Sequence, residues 1–290
     1  MFLTKNRFFA FVFGLSFLFF SCEEVPPFIN FEKEVKSQDT SYITTNVPAA
    51  QHKAVLIEDI TGVRCNNCPK AATRAKEIVA AKTKDSVVLI GLYTTHLANF
   101  TNPYDGFEPL TSTFSFQVVS FLGPPTGLPS GYVDRAIIAP QTVRFNPFTT
   151  WASLVNLRLK EKTPVNIELS KSLAGKNLNF KMSLVYTSAV SSTHKYALYI
   201  TESKILSKQT MPDGAGEKDD YEHNHVLRFA FGLASGNTLN QTLVAGRVYE
   251  RVYEYEFSAN MVPENCHLVC VVTDANTNEV VNVREIDIKN

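Results

Sequence analysis

Two cysteines three positions apart are the residues of this sequence best suited to chemistry. Cys65 and Cys68 lie in the segment TGVRCNNCP, residues 61–69, between an apolar run and an alanine-rich run. A pair with this spacing serves as a working dithiol, as a static crosslink or as half of a zinc site. Which of the three applies depends on the elements that position the pair.

The flanking segments predict a strand, a helix and a second strand. Residues 54–60 and 86–93 are short apolar runs typical of strands buried on both faces. Between them, residues 66–82 place apolar side chains at helical spacing, and Pro69 fits the first turn of a helix. This order predicts a βαβ unit with parallel strands.

The predicted helix start assigns different roles to the two cysteines. A cysteine at a helix N-terminus meets unpaired backbone N–H groups and the positive end of the helix dipole, which stabilise its thiolate. Cys65 occupies that place, and Arg64 adds a positive charge beside it. Cys68, one turn further on, can attack a mixed disulfide formed at Cys65. We therefore expect Cys65 to be the nucleophile and Cys68 the resolving thiol.

A strand, a C-x-x-C at a helix start, a parallel strand and a later X-Pro before another strand together resemble the thioredoxin pattern. The resemblance implies a cis-proline that faces the dithiol and presents a backbone edge to the substrate. Pro129, in the Leu128-Pro129 pair, is the best match because the strand predicted at residues 131–135 follows directly. Pro125 is the alternative.

Two successive carboxylates, Glu58 and Asp59, are candidates for an acid beneath the dithiol that accepts the proton of Cys68. For each one, a carboxylate facing solvent at a strand end is the alternative. Asn66 and Asn67 stand where thioredoxins have Gly-Pro. These inner residues tune the reduction potential, so the sequence leaves the redox direction open.

The rest of the chain predicts two helices and then a change of period. A helix is expected at residues 110–121, inside a helical insertion over 97–122, and another at 147–160. Beyond residue 163 the hydrophobic period becomes two, which predicts about seven strands. They are residues 164–169, 177–186, 196–201, 225–231, 248–257, 267–273 and 279–288.

These elements predict two domains of different class. The first is an α/β thioredoxin-like domain over residues 49–162. The second is an all-β immunoglobulin-like sandwich over residues 163–290.

Residues 1–21 predict a lipoprotein signal peptide. Lys5 and Arg7 precede an apolar run, residues 8–20, that is too short to span about 30 Å of hydrocarbon comfortably. A small residue directly before a cysteine follows this run, which resembles a bacterial lipobox.

The lipobox resemblance implies that Cys22 carries lipid and holds the chain on a membrane. Phe19 stands where the common lipobox has leucine. An ordinary cleaved signal peptide is the alternative, but the small residues that its cleavage site requires are missing. Residues 22–48 are polar and contain prolines, and we expect them to form the lipidated N-terminus and a flexible tether.

The remaining cysteines belong to an oxidising, extracytoplasmic setting, in which a bond between Cys65 and Cys68 is the simplest pairing. On a strand, Cys266 and Cys270 would have their Cα atoms roughly 13 Å apart. A disulfide tolerates only about 4.4 to 6.8 Å. We therefore expect two separate thiols, with Cys270 in the core and Cys266 at a strand edge.

Four stretches taken together resemble the outer-membrane-protein-28-related lipoproteins. They are VLIEDITG at residues 55–62, RCNNCP at 64–69, PSGYVDR at 129–135 and YEHNHVLR at 221–228. The resemblance extends from roughly residue 50 to the C-terminus. It implies a thioredoxin-like domain and a β-rich domain on an outer-membrane lipoprotein, lying on the periplasmic face or the cell surface, and it implies no particular reaction.

A zinc site is an alternative use of the two cysteines, since it needs two further ligands. The candidates are Cys266, Cys270, His223, His225 and His267. Their spacing forms no compact second pair, and His223 and His225, which would share a face on a strand, are interpreted as structural. No metal and no cofactor are therefore expected.

Two functional classes remain open. In the first, the protein is a membrane-tethered thiol-disulfide oxidoreductase that acts on envelope or surface proteins through Cys65, Cys68, Arg64 and Pro129. In the second, it is an accessory or binding lipoprotein of an outer-membrane complex, and the cysteine bond is a structural clasp. The 28 basic and 28 acidic residues favour no nucleic-acid partner.

Overall fold

The computed structural model describes residues 37–289, which are dominated by strands. The predicted signal peptide, Cys22 and the tether up to residue 36 lie outside the described residues. The strands are β1 (Ser37–Ile43), β2 (Val55–Thr61), β3 (Val87–Tyr93), β4 (Ser130–Val133), β5 (Phe145–Asn146), β6 (Val165–Ala174), β7 (Asn177–Tyr186), β8 (His194–Glu202), β9 (Ile205–Thr210), β10 (Glu217–His223), β11 (Val226–Phe231), β12 (Asn237–Thr238), β13 (Arg247–Glu256), β14 (Cys266–Asp274) and β15 (Val280–Asp287). The helices are α1 (Cys68–Ala80), α2 (Ala98–Thr101), α3 (Thr113–Leu122) and α4 (Trp151–Arg158).

The larger sheet contains the predicted strand, helix and strand unit. Its order is β15-β14-β8-β11-β3-β2-β4-β5, and β12 pairs with β8. β2 and β3 are parallel, with Val55 opposite Val87, and β4 is antiparallel to β2. α1 packs its apolar side on one face of β2 and β3, where Ala71, Ala75 and Ile78 are buried. The prediction of a parallel βαβ unit is confirmed.

The smaller sheet has four antiparallel strands in the order β1-β13-β7-β6. It faces β8 and β14 of the larger sheet, so this part of the chain has a sandwich-like arrangement with the core between the two sheets. Alternate residues of these strands point into that core, as the period of two requires. Among them are Val165, Ile167, Phe180, Met182, Leu198, Ile200, Leu268 and Cys270.

The two segments predicted as separate domains share one sheet and one core cluster. β11 pairs in parallel with β3 through Val226 and Gly91. The face of β8 that points away from the sandwich buries Ala197 and Tyr199 in the same cluster as Leu56 of β2. The boundary near residue 163 stays a prediction, and the described part of the chain packs without a linker at that point.

Two segments differ from the sequence-based expectation. Ser37–Ile43, expected to be flexible tether, forms β1 and pairs with β13. β9 and β10 form an antiparallel hairpin that was not predicted. The charged residues 218–220 lie on β10 and are exposed. Charged, solvated strands such as β10 lack the apolar alternation by which strands are recognised in a sequence.

A buried ion pair connects β2 to the chain that follows β4. Arg135 donates from Nε and Nη2 to the two carboxylate oxygens of Glu58, at 2.9 and 2.6 Å, and both side chains are 1% exposed. Arg135 Nη2 also donates to the hydroxyl of Tyr199 on β8. The bidentate pair lies within the first predicted domain, and the contact with Tyr199 connects it to the second.

Replacing Glu58 by glutamine is expected to reduce the free energy of unfolding by about 3 to 5 kcal/mol, because Arg135 is left as a buried, uncompensated charge. Urea titration followed by fluorescence measures this loss. The exposed pair Arg74 and Glu77 provides the control, since Arg74→Ala should change the same quantity by less than about 0.5 kcal/mol. Equal effects of the two substitutions would contradict a large contribution of the Glu58–Arg135 pair to the free energy of unfolding.

Candidate functional site

Cys65 and Cys68 are joined in a disulfide, with Cα atoms 5.4 Å apart. Cys68 is the first residue of α1, and Pro69 follows in the first turn, as the sequence predicts. Cys65 lies just before the helix. Both cysteines are buried, at 2% and 1% exposure.

The hairpin formed by β9 and β10 packs on the loop that carries the disulfide. The backbone N–H of Thr210 donates to the carbonyl of Val63 at 2.8 Å. The side chain of Gln209 donates from Nε2 to the carbonyl of Cys65 at 2.9 Å and is itself buried. The sequence contains no signal for these contacts, because they join segments about 145 positions apart.

Arg64 binds the insertion between β3 and α3. Its Nε and Nη2 donate to the carbonyls of Asn102 and Pro103, both at 2.9 Å, and its guanidinium lies 4.0 Å from the ring centre of Tyr104. The backbone N–H of Arg64 donates to the carbonyl of Phe100. The side chain therefore positions the insertion against the cysteine loop, and its role in dithiol chemistry stays a prediction.

Pro129 lies at the same end of the larger sheet as the cysteine loop. The Leu128-Pro129 peptide bond is cis, and so is the bond between Ala139 and Pro140. Ser130, the residue after Pro129, pairs with Ile60 of β2. One further step of this antiparallel register brings Pro129 beside Thr61, which precedes the cysteine loop.

The two candidate acids lie on opposite faces of β2, because successive side chains of a strand alternate. Glu58 points away from α1 and is engaged by Arg135. Asp59 points toward α1 and lines a cavity of about 50 Å³ that Cys68 also lines. Of the two candidate acids, Asp59, and not Glu58, therefore lines the same cavity as Cys68.

Asp59 has an unpartnered carboxyl oxygen and a raised pKa. Its Oδ1 atom is enclosed and has no hydrogen-bond partner among the described residues. Burial raises the pKa of Asp59 to about 7, because the charged form loses its hydration. A carboxyl group with such a pKa exchanges its proton near neutral pH.

His223 of β10 closes the other side of the cavity. It is 2% exposed, and its Nδ1 lies 2.8 Å from the hydroxyl of Tyr93 on β3. Its Nε2 is buried without a hydrogen-bond partner among the described residues. Burial lowers the pKa of His223 to about 4, so the ring is neutral at pH 7. The sequence-based interpretation treated this histidine as structural and missed its place at the site.

The expectation that His223 and His225 share the face of one strand is wrong. β10 ends at His223, and His225 has a φ of 55° in the turn before β11. Cys266 and Cys270 are separate buried thiols on β14, as expected for Cys270, whereas Cys266 is buried and not at an exposed edge. Within residues 37–289, no group of three or more His, Cys, Asp or Glu side chains is arranged to hold a metal ion.

Comparison with known proteins identifies the family. The family model described as outer membrane protein Omp28 matches residues 124–290, which is more than half of the chain. The chain belongs to the Omp28 family. It is an outer-membrane protein. The match begins after the cysteine loop, so it covers Pro129 and the β-rich part of this Omp28-family chain. No helix among residues 37–289 is long and apolar enough to cross a membrane.

Solved structures give further likenesses. HBP35 of Porphyromonas gingivalis is 14% identical with a TM-score of 0.62, and the match covers 83% of this chain and 76% of that one. It shows a shared fold. A domain of the outer membrane lipoprotein Omp28 from the same organism is 18% identical with a TM-score of 0.31, covering 44% of this chain and 89% of the other. CsgH of R. palustris is 12% identical with a TM-score of 0.17, covering 43% and 93%. No curated protein matched the chain.

Replacing Asp59 by asparagine is expected to stabilise the oxidised protein at high pH. The native carboxyl keeps its proton up to about pH 7, whereas the unfolded one loses it near pH 4, so the stability of the parent falls as the pH rises between these values. Asparagine cannot ionise. The variant should exceed the parent by about 2 to 4 kcal/mol at pH 8 and match it near pH 4.

Urea unfolding of the oxidised proteins between pH 4 and pH 8 measures this difference. Asp105→Asn, at an exposed position, is the control and should give a difference that does not change with pH. A pH-independent difference for Asp59→Asn as well would contradict the buried, unpaired state of the carboxyl group.

Proposed function

We propose that this Omp28-family chain is a lipid-anchored, thioredoxin-like thiol-disulfide oxidoreductase of the outer membrane that acts on envelope or surface proteins. The observation that carries the proposal is the enclosed, unpartnered Oδ1 atom of Asp59, a residue of the cavity that Cys68 also lines. Leaving a buried carboxyl oxygen without a partner is costly. A static crosslink has no use for a proton acceptor at this place, whereas a resolving thiol does.

Other features support the proposed oxidoreductase function. The disulfide begins a helix that follows a strand and precedes a parallel strand, which is the order of a thioredoxin-like fold. The cis-proline Pro129 lies at the same end of the sheet. The family match and the HBP35 likeness are compatible with this function and carry no information about redox chemistry.

The exchange starts from the reduced dithiol and a client protein with a disulfide. The Cys65 thiolate attacks one client sulfur, the client S–S bond breaks, and the other client sulfur leaves as a thiolate. Asp59 takes the proton of Cys68, whose thiolate then attacks Cys65 Sγ. The bond between Cys65 and Cys68 forms, and the second client sulfur leaves.

In this sequence the client gains two electrons and the cysteine pair loses two. The proton held by Asp59 passes to water or to a leaving thiolate. A reduced dithiol partner restores the pair, and a disulfide partner drives the same steps in reverse. The direction depends on the potential of the partner couple.

Exchange requires the cover over the disulfide to open. A client thiolate must approach Cys65 Sγ along the axis of the S–S bond, and in the closed structure both sulfurs are buried. The tip of the β9–β10 hairpin is the part to move, because it is held by the contacts of Gln209 and Thr210 and by an exposed ion pair between Lys70 and Asp213. His223 lies at the base of the hairpin, where it pairs with Ile205.

In a Cys68→Ser variant, Cys65 is expected to accumulate mixed disulfides with its clients, because the thiol that resolves them is absent. Envelope extracts from cells producing the variant should contain high-mass, reductant-sensitive adducts on non-reducing gels. The double variant Cys65→Ser, Cys68→Ser is the control and should form none. Absence of adducts, together with a reduction potential below about −300 mV for the parent, would contradict the oxidoreductase.

The anchor is proposed to be lipid on Cys22, which would keep the chain on the membrane through several acyl chains. A Cys22→Ser variant should move from the membrane pellet to the soluble envelope fraction and lose incorporation of radiolabelled palmitate. Cys266→Ser, which changes a buried cysteine, should do neither. A Cys22→Ser protein that stays in the membrane fraction would contradict the lipid anchor.

A second candidate function is supported by the burial of both sulfurs. A disulfide at 2% and 1% exposure is typical of a structural clasp, and the protein would then be an accessory or binding lipoprotein of an outer-membrane complex. The Cys68→Ser trapping experiment separates the two candidates, because only the oxidoreductase accumulates adducts that depend on Cys65.

A further inference from the structure

Two residues that line the same small cavity each have a buried polar atom without a hydrogen-bond partner. These atoms are Oδ1 of Asp59 on β2 and Nε2 of His223 on β10. Buried polar groups of this kind are normally satisfied, and a shared cavity is where both can be satisfied by one ordered water. The cavity, at about 50 Å³, is large enough for water.

The hydroxyl of Tyr93 determines which nitrogen of the His223 ring carries the proton. The hydroxyl lies 2.8 Å from Nδ1, and the ring is in edge contact with Tyr93 and with Tyr221. When Nδ1 accepts a hydrogen bond from the Tyr93 hydroxyl, the single proton of the neutral ring is on Nε2. Nε2 then donates into the cavity, where an ionised Asp59 requires a donor.

The cavity also has exposed residues in its wall. Besides Cys68, Asp59 and His223, its lining includes the exposed residues Lys76 and Glu222. The proposed proton transfer from Cys68 to Asp59 would therefore take place in a cavity with residues that reach solvent.

We propose that His223 is a positioning residue for the exchange reaction, which holds a water against Asp59 through its Nε2–H and so helps the carboxyl group to give up its proton to solvent. The inference rests on the proposed function. It assigns a role in the dithiol chemistry to a residue from the β-rich part of the chain, more than 150 positions after Cys68.

Other titratable groups face this site from each element that packs around it. They are Lys76 on α1, Tyr93 on β3, Tyr221 and Glu222 on β10, and His225 in the turn that follows. Asp59 contributes to the raised pKa of Tyr93 and of Tyr221, after burial, so these hydroxyls keep their protons at neutral pH. Burial, first, and the positive charge of Lys76 both lower the pKa of His225 to about 4. Asp59 is therefore the group that we expect to titrate near pH 7.

The test follows resolution by Cys68 directly. The reduced full-length protein is mixed with 5,5′-dithiobis(2-nitrobenzoate), and stopped-flow absorbance records the second coloured thiolate, which leaves when Cys68 attacks the mixed disulfide on Cys65. The rate is measured from pH 5 to pH 9. A Cys68→Ser variant gives the background.

His223→Phe removes the donor, so the Asp59 anion is less stable. The inflection that belongs to Asp59 should rise by about one pH unit, and the rate at pH 7 should fall by about five-fold. Tyr93→Phe, which keeps the ring but frees Nδ1, should shift the profile in the same direction by a smaller amount. It also keeps the test valid if His223→Phe does not fold.

A second Tyr–His pair provides the matched control. Tyr186 and His194 are also buried, with the hydroxyl 2.9 Å from Nδ1, and they lie in the sandwich at the opposite end of β8. His194→Phe and Tyr186→Phe should have similar structural costs and leave the pH profile of the parent unchanged.

The outcomes separate the role of His223 from the proposed function. If Asp59→Asn removes the inflection but His223→Phe and Tyr93→Phe match the parent, the role of His223 is overturned and the proposed function stands. If Asp59→Asn also leaves the profile unchanged, the proton acceptor is wrong and both proposals fail. If the sandwich variants shift the profile as much as those at the cavity, the effect is structural and the inference is overturned.

Discussion

The architecture depends on how β2 accommodates two successive carboxylates, the buried Glu58 and the partly buried Asp59. A strand sends neighbouring side chains to opposite faces, so each face of the larger sheet receives one ionisable group. Glu58 is compensated by Arg135, and this pair joins β2 to the segment after β4 and to β8. Oδ1 of Asp59 has no such partner, and burial raises the pKa of this carboxyl group to about 7. One carboxylate stabilises the fold, and the other is available for proton transfer.

The two halves of the chain form one continuous sheet. The pairing of β11 with β3 extends the sheet that carries the cysteine loop into the sandwich. The connection between β8 and β11 forms the hairpin of β9 and β10, which then lies over the disulfide. Because of the sheet order, Gln209 contacts Cys65, and His223 lines the same cavity as Cys68. A truncated N-terminal half would lack the wall of the cavity and the cover of the sulfurs.

The two pairs of cysteines differ in what covers them. Cys266 and Cys270 lie in the sandwich core, where burial raises the pKa of each thiol far above its usual value and keeps it protonated. The disulfide of Cys65 and Cys68 is equally buried but lies under a hairpin held by a few hydrogen bonds and by an exposed ion pair. A hairpin of this kind opens at much lower cost than a sheet core.

The sequence by itself determined the local elements around Cys65 and Cys68, the pairing of those cysteines, the alternating strands of the sandwich and the resemblance to the Omp28 family. These follow from periodicity and short-range spacing, which a single segment contains. Only the tertiary structure decided which of Glu58 and Asp59 lies on the side of α1, because either face of β2 can pack against the helix until the register is known. The contact of Arg64 with the insertion and the position of His223 in the cavity wall are also seen only in the tertiary structure. Such contacts arise from sheet order and long-range packing, which local sequence patterns do not encode.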